Sequence, residues 1–125
     1  MKKTNFGQSL IEVLASISVI LLVIVGIVLA TVFAIKGSAF SKNQALATKY
    51  AQEGMEKVRS DRDQDPETFF AKSGEDPVEP IEIFSRKITY NQVEAGKKTE
   101  VTVTVSWQDR SGKHEAKQTS TFTRW

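Results

Sequence analysis

The chain has 125 residues, no cysteine and one histidine, and its 17 basic side chains exceed its 15 acidic ones by only two. Disulfides are therefore excluded, and the usual zinc sites of cysteine and histidine cannot be built within one chain. No glycine-rich phosphate loop and no G-x-S-x-G motif occurs, so the sequence predicts neither an enzyme nor a bound cofactor or metal.

The first predicted element is a membrane-spanning helix over residues 13–35. This stretch has no ionisable side chain, and at about 1.5 Å per residue it is long enough for a hydrocarbon core of roughly 30 Å. Lys2 and Lys3 precede it, so the positive-inside rule places the N-terminus in the cytoplasm. No A-x-A-like cleavage site follows it, which predicts that the segment stays in the mature protein.

A single carboxylate, Glu12, lies at the start of this apolar run. A charged side chain costs about 2.5–3.5 kcal/mol at the centre of a bilayer and less near its surface. We therefore expect Glu12 to have a charged partner. The simpler alternative is a signal-anchor helix whose Glu12 reaches the membrane interface.

The N-terminus reads Lys2-Lys3, a polar spacer, and then Gly7-Gln8-Ser9-Leu10-Ile11-Glu12. This pattern, followed by a long apolar run, resembles the N-terminus of type IV prepilins. The resemblance implies that residues 1–7 are a leader removed by the prepilin peptidase between Gly7 and Gln8. It also implies that the new amine of Gln8 is methylated and that Glu12 is the fifth mature residue. The first mature residue, Gln8, differs from the Phe of major pilins. The sequence Gln-Ser-Leu-Ile-Glu-Val is more similar to PilV-like minor pilins and to minor pseudopilin I of type II secretion.

Cleavage at this site would supply the charge that Glu12 lacks. The ammonium at Gln8 lies four residues from Glu12 on one helix face, so the two can pair within a chain or between chains. Removing Lys2 and Lys3 leaves 15 basic and 15 acidic groups, and a neutral chain argues against binding to nucleic acid. Gly26, Ala30 and Ala34 form a ridge of small residues suited to helix packing, although ordinary membrane-helix composition explains them equally well.

The helix is predicted to continue to residue 62, giving one long helix over residues 8–62. Its second half carries an apolar stripe of Phe40, Ala47, Ala51, Gly54 and Val58, with Tyr50 and Met55 at the edge. Gly54 on this stripe indicates a close approach to a sheet. Pro66 ends the helix near Asp61–Asp65, and residues 63–80 are predicted to be a proline-rich loop. Phe69 and Phe70 in this loop are expected to anchor the head, and the alternative is that they are exposed contact residues.

Residues 81–125 are predicted to form an antiparallel sheet of three or four strands. Phe84, Ile88 and Tyr90 share one face of the first strand, and Ala116 is in phase with Phe122 in the last. The middle strand alternates cleanly, with Val101, Val103, Val105 and Trp107 on one face. Turns are expected over residues 94–97 and 109–113. The predicted class is α+β: a pilin-like long N-terminal helix packed on this sheet.

Three groups of side chains are candidate binding sites. Asp61, Asp63 and Asp65 alternate as at the start of a calcium loop, but Pro66 and Lys72 break the rest of that pattern, so a solvated acidic cluster is favoured. His114 is expected to be exposed near a strand start. The basic residues at 97–98 and 110–113 would form a DNA-binding patch only if both hairpins pointed the same way.

These observations and the resemblance together predict a minor pilin, a structural subunit of a type IV pilus-like filament. The alternatives are a type II secretion pseudopilin, which genomic neighbours would distinguish, and a monomeric signal-anchored protein. The expected partners are the prepilin peptidase, other pilins, the inner-membrane assembly platform and, before assembly, membrane lipid. The expected location is the cytoplasmic membrane, in a single pass with the N-terminus inside, and then an extracellular or periplasmic filament.

Overall fold

The computed structural model describes residues 6–125, so Lys2 and Lys3 of the predicted leader lie outside the described residues. Helix α1 runs over Phe6–Gln64 and is followed by a short helix α2, Pro66–Ala71. Five strands complete the chain: β1 (Gly74–Glu75), β2 (Glu79–Ile81), β3 (Phe84–Glu94), β4 (Lys98–Asp109) and β5 (Gly112–Thr123). The chain divides after Ser41 into two units, and the second unit, here called the head, is residues 42–125.

The head sheet is antiparallel throughout. β3, β4 and β5 form a meander, and both β1 and β2 pair with the outer edge of β3. The predicted α+β class, a long N-terminal helix on an antiparallel sheet, is confirmed. The sheet has five strands rather than three or four, because β1 and β2 add two short segments that begin before residue 81.

The segment over residues 63–80 is more ordered than the predicted proline-rich loop. α1 ends at Gln64, as Pro66 requires, and Pro66 then occupies the first turn of α2. The Asp65 side chain caps α2 by accepting a hydrogen bond from the Thr68 N–H (3.2 Å). The loop prediction was therefore wrong for α2, β1 and β2.

The core of the head lies between the second half of α1 and one face of the sheet. The predicted inward positions of all three long strands are buried: Phe84, Ile88, Tyr90, Val101, Val103, Val105, Trp107, Ala116 and Phe122. Phe69 and Phe70 of α2 are also buried, and the Phe69 ring lies edge-on to Phe122 with 5.4 Å between centroids. The predicted role of these two phenylalanines as anchors is confirmed.

The buried stripe of α1 consists of Ala47, Ala51, Gly54, Met55 and Val58. Met55 is fully buried rather than at the edge of the stripe, and Phe40 is 42% exposed. At Gly54 the helix backbone lies against the sheet, because a Cβ built there would be 2.8 Å from Val103 Cγ1 and 3.0 Å from Arg86 Cδ. The close approach predicted from this glycine is therefore present.

Candidate functional site

The residues of the predicted processing site all lie in the first turns of α1. Gly7, Gln8 and Glu12 are exposed, and a Cβ added to Gly7 would meet no atom within 4 Å. Because Gln8 and Glu12 are four residues apart in one helix, they share a face. The structure thus places the three residues together, and cleavage and methylation remain predictions.

The first half of α1 presents apolar side chains in every direction. Ile11, Leu22 and Phe33 are each at least 70% exposed, and the most apolar 18-residue window of the helix buries no residue. Among residues 6–125, this is the one helix long and apolar enough to cross a membrane. Such a surface is not stable in water on its own and requires lipid or other apolar chains around it.

Three hydroxyl groups within this apolar half form hydrogen bonds to the backbone of their own helix. The hydroxyls of Ser16, Ser18 and Thr31 each donate to the backbone carbonyl four residues earlier, at 2.8 Å. Each donor is therefore occupied inside its own helix. Between Gln8 and Ile35, Glu12 is the one charged side chain.

The small residues Gly26, Ala30 and Ala34 recur every four positions and are exposed. A Cβ at Gly26 would have nothing within 4 Å, so no neighbour of this ridge belongs to the described part of the chain. Their role in helix packing stays a prediction.

A buried arginine, which the sequence pattern did not reveal, joins α1 to the sheet of the head. Arg86 is only 8% exposed, and its Nη1 donates to the Tyr50 carbonyl of α1 (3.1 Å). Its Nη2 and Nε both donate to Glu79 Oε2 of β2 (2.6 and 3.2 Å), and these hydrogen bonds lower the pKa of Glu79. Arg86 thus links α1, β2 and β3 at the level of Gly54.

Ser111, His114 and Asp109 lie together at the β4–β5 turn and superficially resemble a catalytic triad. His114 Nε2 is 3.0 Å from Asp109 Oδ1 and 3.1 Å from Ser111 Oγ. A proton relay needs two different ring nitrogens, one facing each partner, and here one nitrogen faces both. The expectation that His114 is exposed was wrong, because its ring packs 5.3 Å from Trp107 and the residue is half-buried.

The two other candidate binding groups are not assembled in the head. Asp65 caps α2 and Asp63 pairs with Arg62 (2.7 Å), and within residues 6–125 no group of three potential metal ligands converges. The basic turns over residues 94–98 and 109–112 begin and end β4, so they lie at opposite ends of the sheet. The condition for a shared DNA-binding patch is not met.

Comparison of the chain with protein-family models, curated proteins and solved structures finds no match. What the structure does establish is a pilin-like layout: a long N-terminal apolar helix and an antiparallel sheet packed on its second half.

Proposed function

We propose that the chain is a minor pilin, cleaved between Gly7 and Gln8, methylated at Gln8 and built into a type IV pilus-like filament. The observation that carries the proposal is the exposed apolar surface of α1, on which Glu12 is the one charged group between Gln8 and Ile35. A surface of this kind suits lipid before assembly and the helices of other pilins afterwards.

Glu12 has a defined task in this proposal. Cleavage after Gly7 creates an ammonium at Gln8, one helical turn away. In an apolar filament core an isolated carboxylate would be strongly destabilised, so the pair forms with the amine of a neighbouring subunit. Charge pairing then fixes the axial position of an otherwise apolar helix.

The packing of neighbouring helices would use the small-residue ridge. Gly26, Ala30 and Ala34 allow a second helix to approach closely along one face. The head, with its own core, would face outward. The prepilin peptidase and the inner-membrane assembly platform act before this stage.

Processing and assembly can be tested in one experiment on the full chain, expressed with a prepilin peptidase and an assembly system. Mass spectrometry of the N-terminus is expected to find a methylated Gln8 in the unmodified protein. Gly7→Leu should retain the leader, because a bulky residue blocks the cut, and should be absent from sheared filaments. Loss of ammonia by cyclisation of an unmethylated Gln8 is read separately by its mass.

Glu12→Gln separates the two steps. We expect this variant to be cleaved normally but to stay in the membrane fraction, because its neutral side chain cannot pair with the amine. Gly37→Leu is the matched control for Gly7→Leu, since Gly37 lies in the same helix with nothing within 4 Å of an added Cβ. An unmodified protein that keeps residues 1–7, or Glu12→Gln in filaments at the normal level, would contradict the proposal.

A further inference from the structure

The two edges of the head sheet end differently. β1 and β2 cover the outer edge of β3, and between them the Asp76 N–H donates to the Ile88 carbonyl (2.9 Å). Pro77 and Pro80 in the covering segment have no N–H to offer a further strand. Within residues 6–125, β5 pairs with β4 alone, so its other edge carries unpaired backbone groups along Gly112–Thr123.

Apart from its two lysines, β5 lacks the features that usually keep an edge strand from pairing. It contains no proline, and its pairing with β4 runs from Asp109↔Gly112 to Lys98↔Thr123 without a bulge. Its inward positions carry no carboxylate or ammonium group. Its charges stand only on the outer face, where two lysines flank one glutamate: Lys113, Glu115 and Lys117. Such lysines repel an arbitrary strand, whereas the glutamate between them selects a particular order of charges.

We propose that this edge is a site for a second copy of the chain, and that the two β5 strands pair antiparallel in a register centred on Ala116. In this register Glu115 of each copy faces Lys117 of the other, which gives two ion pairs across the junction. Residues 112–120 of both copies are then paired, and Ala116 faces its counterpart with little side-chain bulk.

The charge order disfavours the neighbouring registers. Centring on Glu115 sets that carboxylate against its copy and Lys113 against Lys117, and centring on Lys117 sets two lysines against each other. Centring on His114 restores opposite charges, between Lys113 and Glu115, but it pairs only residues 112–116. Among the registers that set opposite charges against each other, the one centred on Ala116 therefore pairs the most residues.

The close approach of the helix at Gly54 lies away from the free edge of β5, because Gly54 meets Arg86 of β3 and Val103 of β4. Ala116 and Phe122 of β5 belong to the same buried core as the stripe of α1, and Arg62 lies over the Phe122 ring, 5.2 Å from its centroid. A second β5 strand adds in the plane of the sheet, beside the first, and not over the face that the helix covers.

The two-fold symmetry of the pair also determines where each chain enters its head. α1 follows β3: Tyr50 contacts Phe84 at the start of β3 (5.4 Å between ring centroids), and Arg62 lies near its other end. Antiparallel pairing reverses one copy, so the two Lys42 positions lie at opposite ends of the joined sheet. Within the pair, the α1 segments of the two heads therefore run in opposite directions.

The test uses the full chain in two sets of phosphatidylcholine vesicles, one with a donor dye and one with an acceptor. Energy transfer should report tethering for the unmodified protein. Glu115→Lys and Lys117→Glu should each lose tethering, because like charges then face one another twice, and the dimer should weaken at least about tenfold. Lys97→Glu, which makes the same charge change as Lys117→Glu but at the β3–β4 turn, is the matched control for that variant.

Mixing the two variants gives the decisive result. Vesicles that carry Glu115→Lys should tether to vesicles that carry Lys117→Glu, because every facing pair is again of opposite charge. A disulfide provides a second readout, since the chain has no cysteine of its own. Ala116→Cys should crosslink between copies and Thr121→Cys should not, as only position 116 faces itself.

Two outcomes overturn the proposal. One is tethering that is absent for the unmodified protein, that the single variants do not change, or that mixing the variants does not restore. The other is equal crosslinking at positions 116 and 121.

Discussion

The two parts of α1 show how one secondary structure can depend on two different environments. From Gly7 to Ser41 the side chains are exposed on all sides, and the apolar ones have no sheet against them. From Lys42 to Gln64 a narrow stripe is buried, Leu46 and Tyr50 are partly buried beside it, and most other positions are polar and exposed. Both parts are continuous α-helix, so they differ in what covers their apolar side chains. The sheet covers those of the second part, and nothing in the described chain covers those of the first.

Because of this difference, the same kind of substitution should change the free energy of unfolding of the head in one part of α1 and not in the other. In the head, a change in side-chain volume meets packed neighbours and alters the free energy of unfolding. In the exposed part, the same change meets detergent or lipid and leaves head stability unchanged. Paired substitutions in the two parts therefore test the comparison directly.

The largest expected effect is at Met55, which is fully buried. Met55→Ala should lower the free energy of unfolding of the head by about 2–5 kcal/mol, through lost contacts and a cavity. Leu22→Ala, at a position that is 73% exposed, should leave it unchanged. Thermal unfolding of the full chain in detergent, followed by near-UV circular dichroism of the buried Trp107, measures both. Equal melting temperatures for the two variants would refute the comparison.

Gly54 tests the close approach of the helix to the sheet. Although alanine is the better helix former, Gly54→Ala should destabilise the head by about 1–3 kcal/mol, because Val103 and Arg86 already occupy the space. Gly37→Ala, with open space around it, should raise helicity slightly and leave the unfolding of the head unchanged. A Gly54→Ala variant at least as stable as the parent would contradict this prediction, because it would show that Val103 and Arg86 can move to accommodate the methyl group.

The smallest effect concerns acid. Hydrogen bonds from Ser111 and His114 lower the pKa of Asp109 from 3.8 to about 2. A lowered pKa in the folded state stabilises the head above pH 3.8, and this contribution is lost as the pH falls through about 2. Near-UV melting between pH 5 and pH 2 should therefore show a smaller fall for Asp109→Asn than for the parent. Asp61→Asn, which also removes one acidic group, is the control, and a parallel fall in all three proteins would contradict the assignment.

The periodic parts of the fold were predictable from the sequence. β4 alternates valine with threonine, and the same alternation governs which of its side chains are buried. The stripe on α1 was identified by its spacing of three and four residues, and Gly54 indicated where the sheet comes close. In each case a local pattern determines a face, and the face determines burial.

The parts that were missed depend on contacts between distant segments or on signals outside any period. β1 and β2 have two and three residues, too few for alternation to be visible. Arg86 is buried because Glu79 and the Tyr50 carbonyl satisfy it, and neither is adjacent in sequence. α2 could have been found, since Asp65 before Pro66 is a common helix start.

For the candidate site, the sequence supplied Gly7, Gln8 and Glu12 through a resemblance, and the structure adds their common helix and their exposure. The partner proposed for Glu12 is the amine of a processed N-terminus or of another chain, and a single unprocessed chain contains neither. The free edge of β5 belongs to the same class, because strand order appears only once the sheet is assembled.

The hydroxyls of Ser16, Ser18 and Thr31 have a mechanical consequence. Since each is occupied by a carbonyl of its own helix, the first part of α1 offers neighbouring helices no directional hydrogen bond from these groups. Helices that touch through dispersion contacts alone can rotate and slide against one another at low cost. In the proposed filament, stiffness would therefore arise near Glu12 and between the heads, whereas the middle of the core would yield under tension.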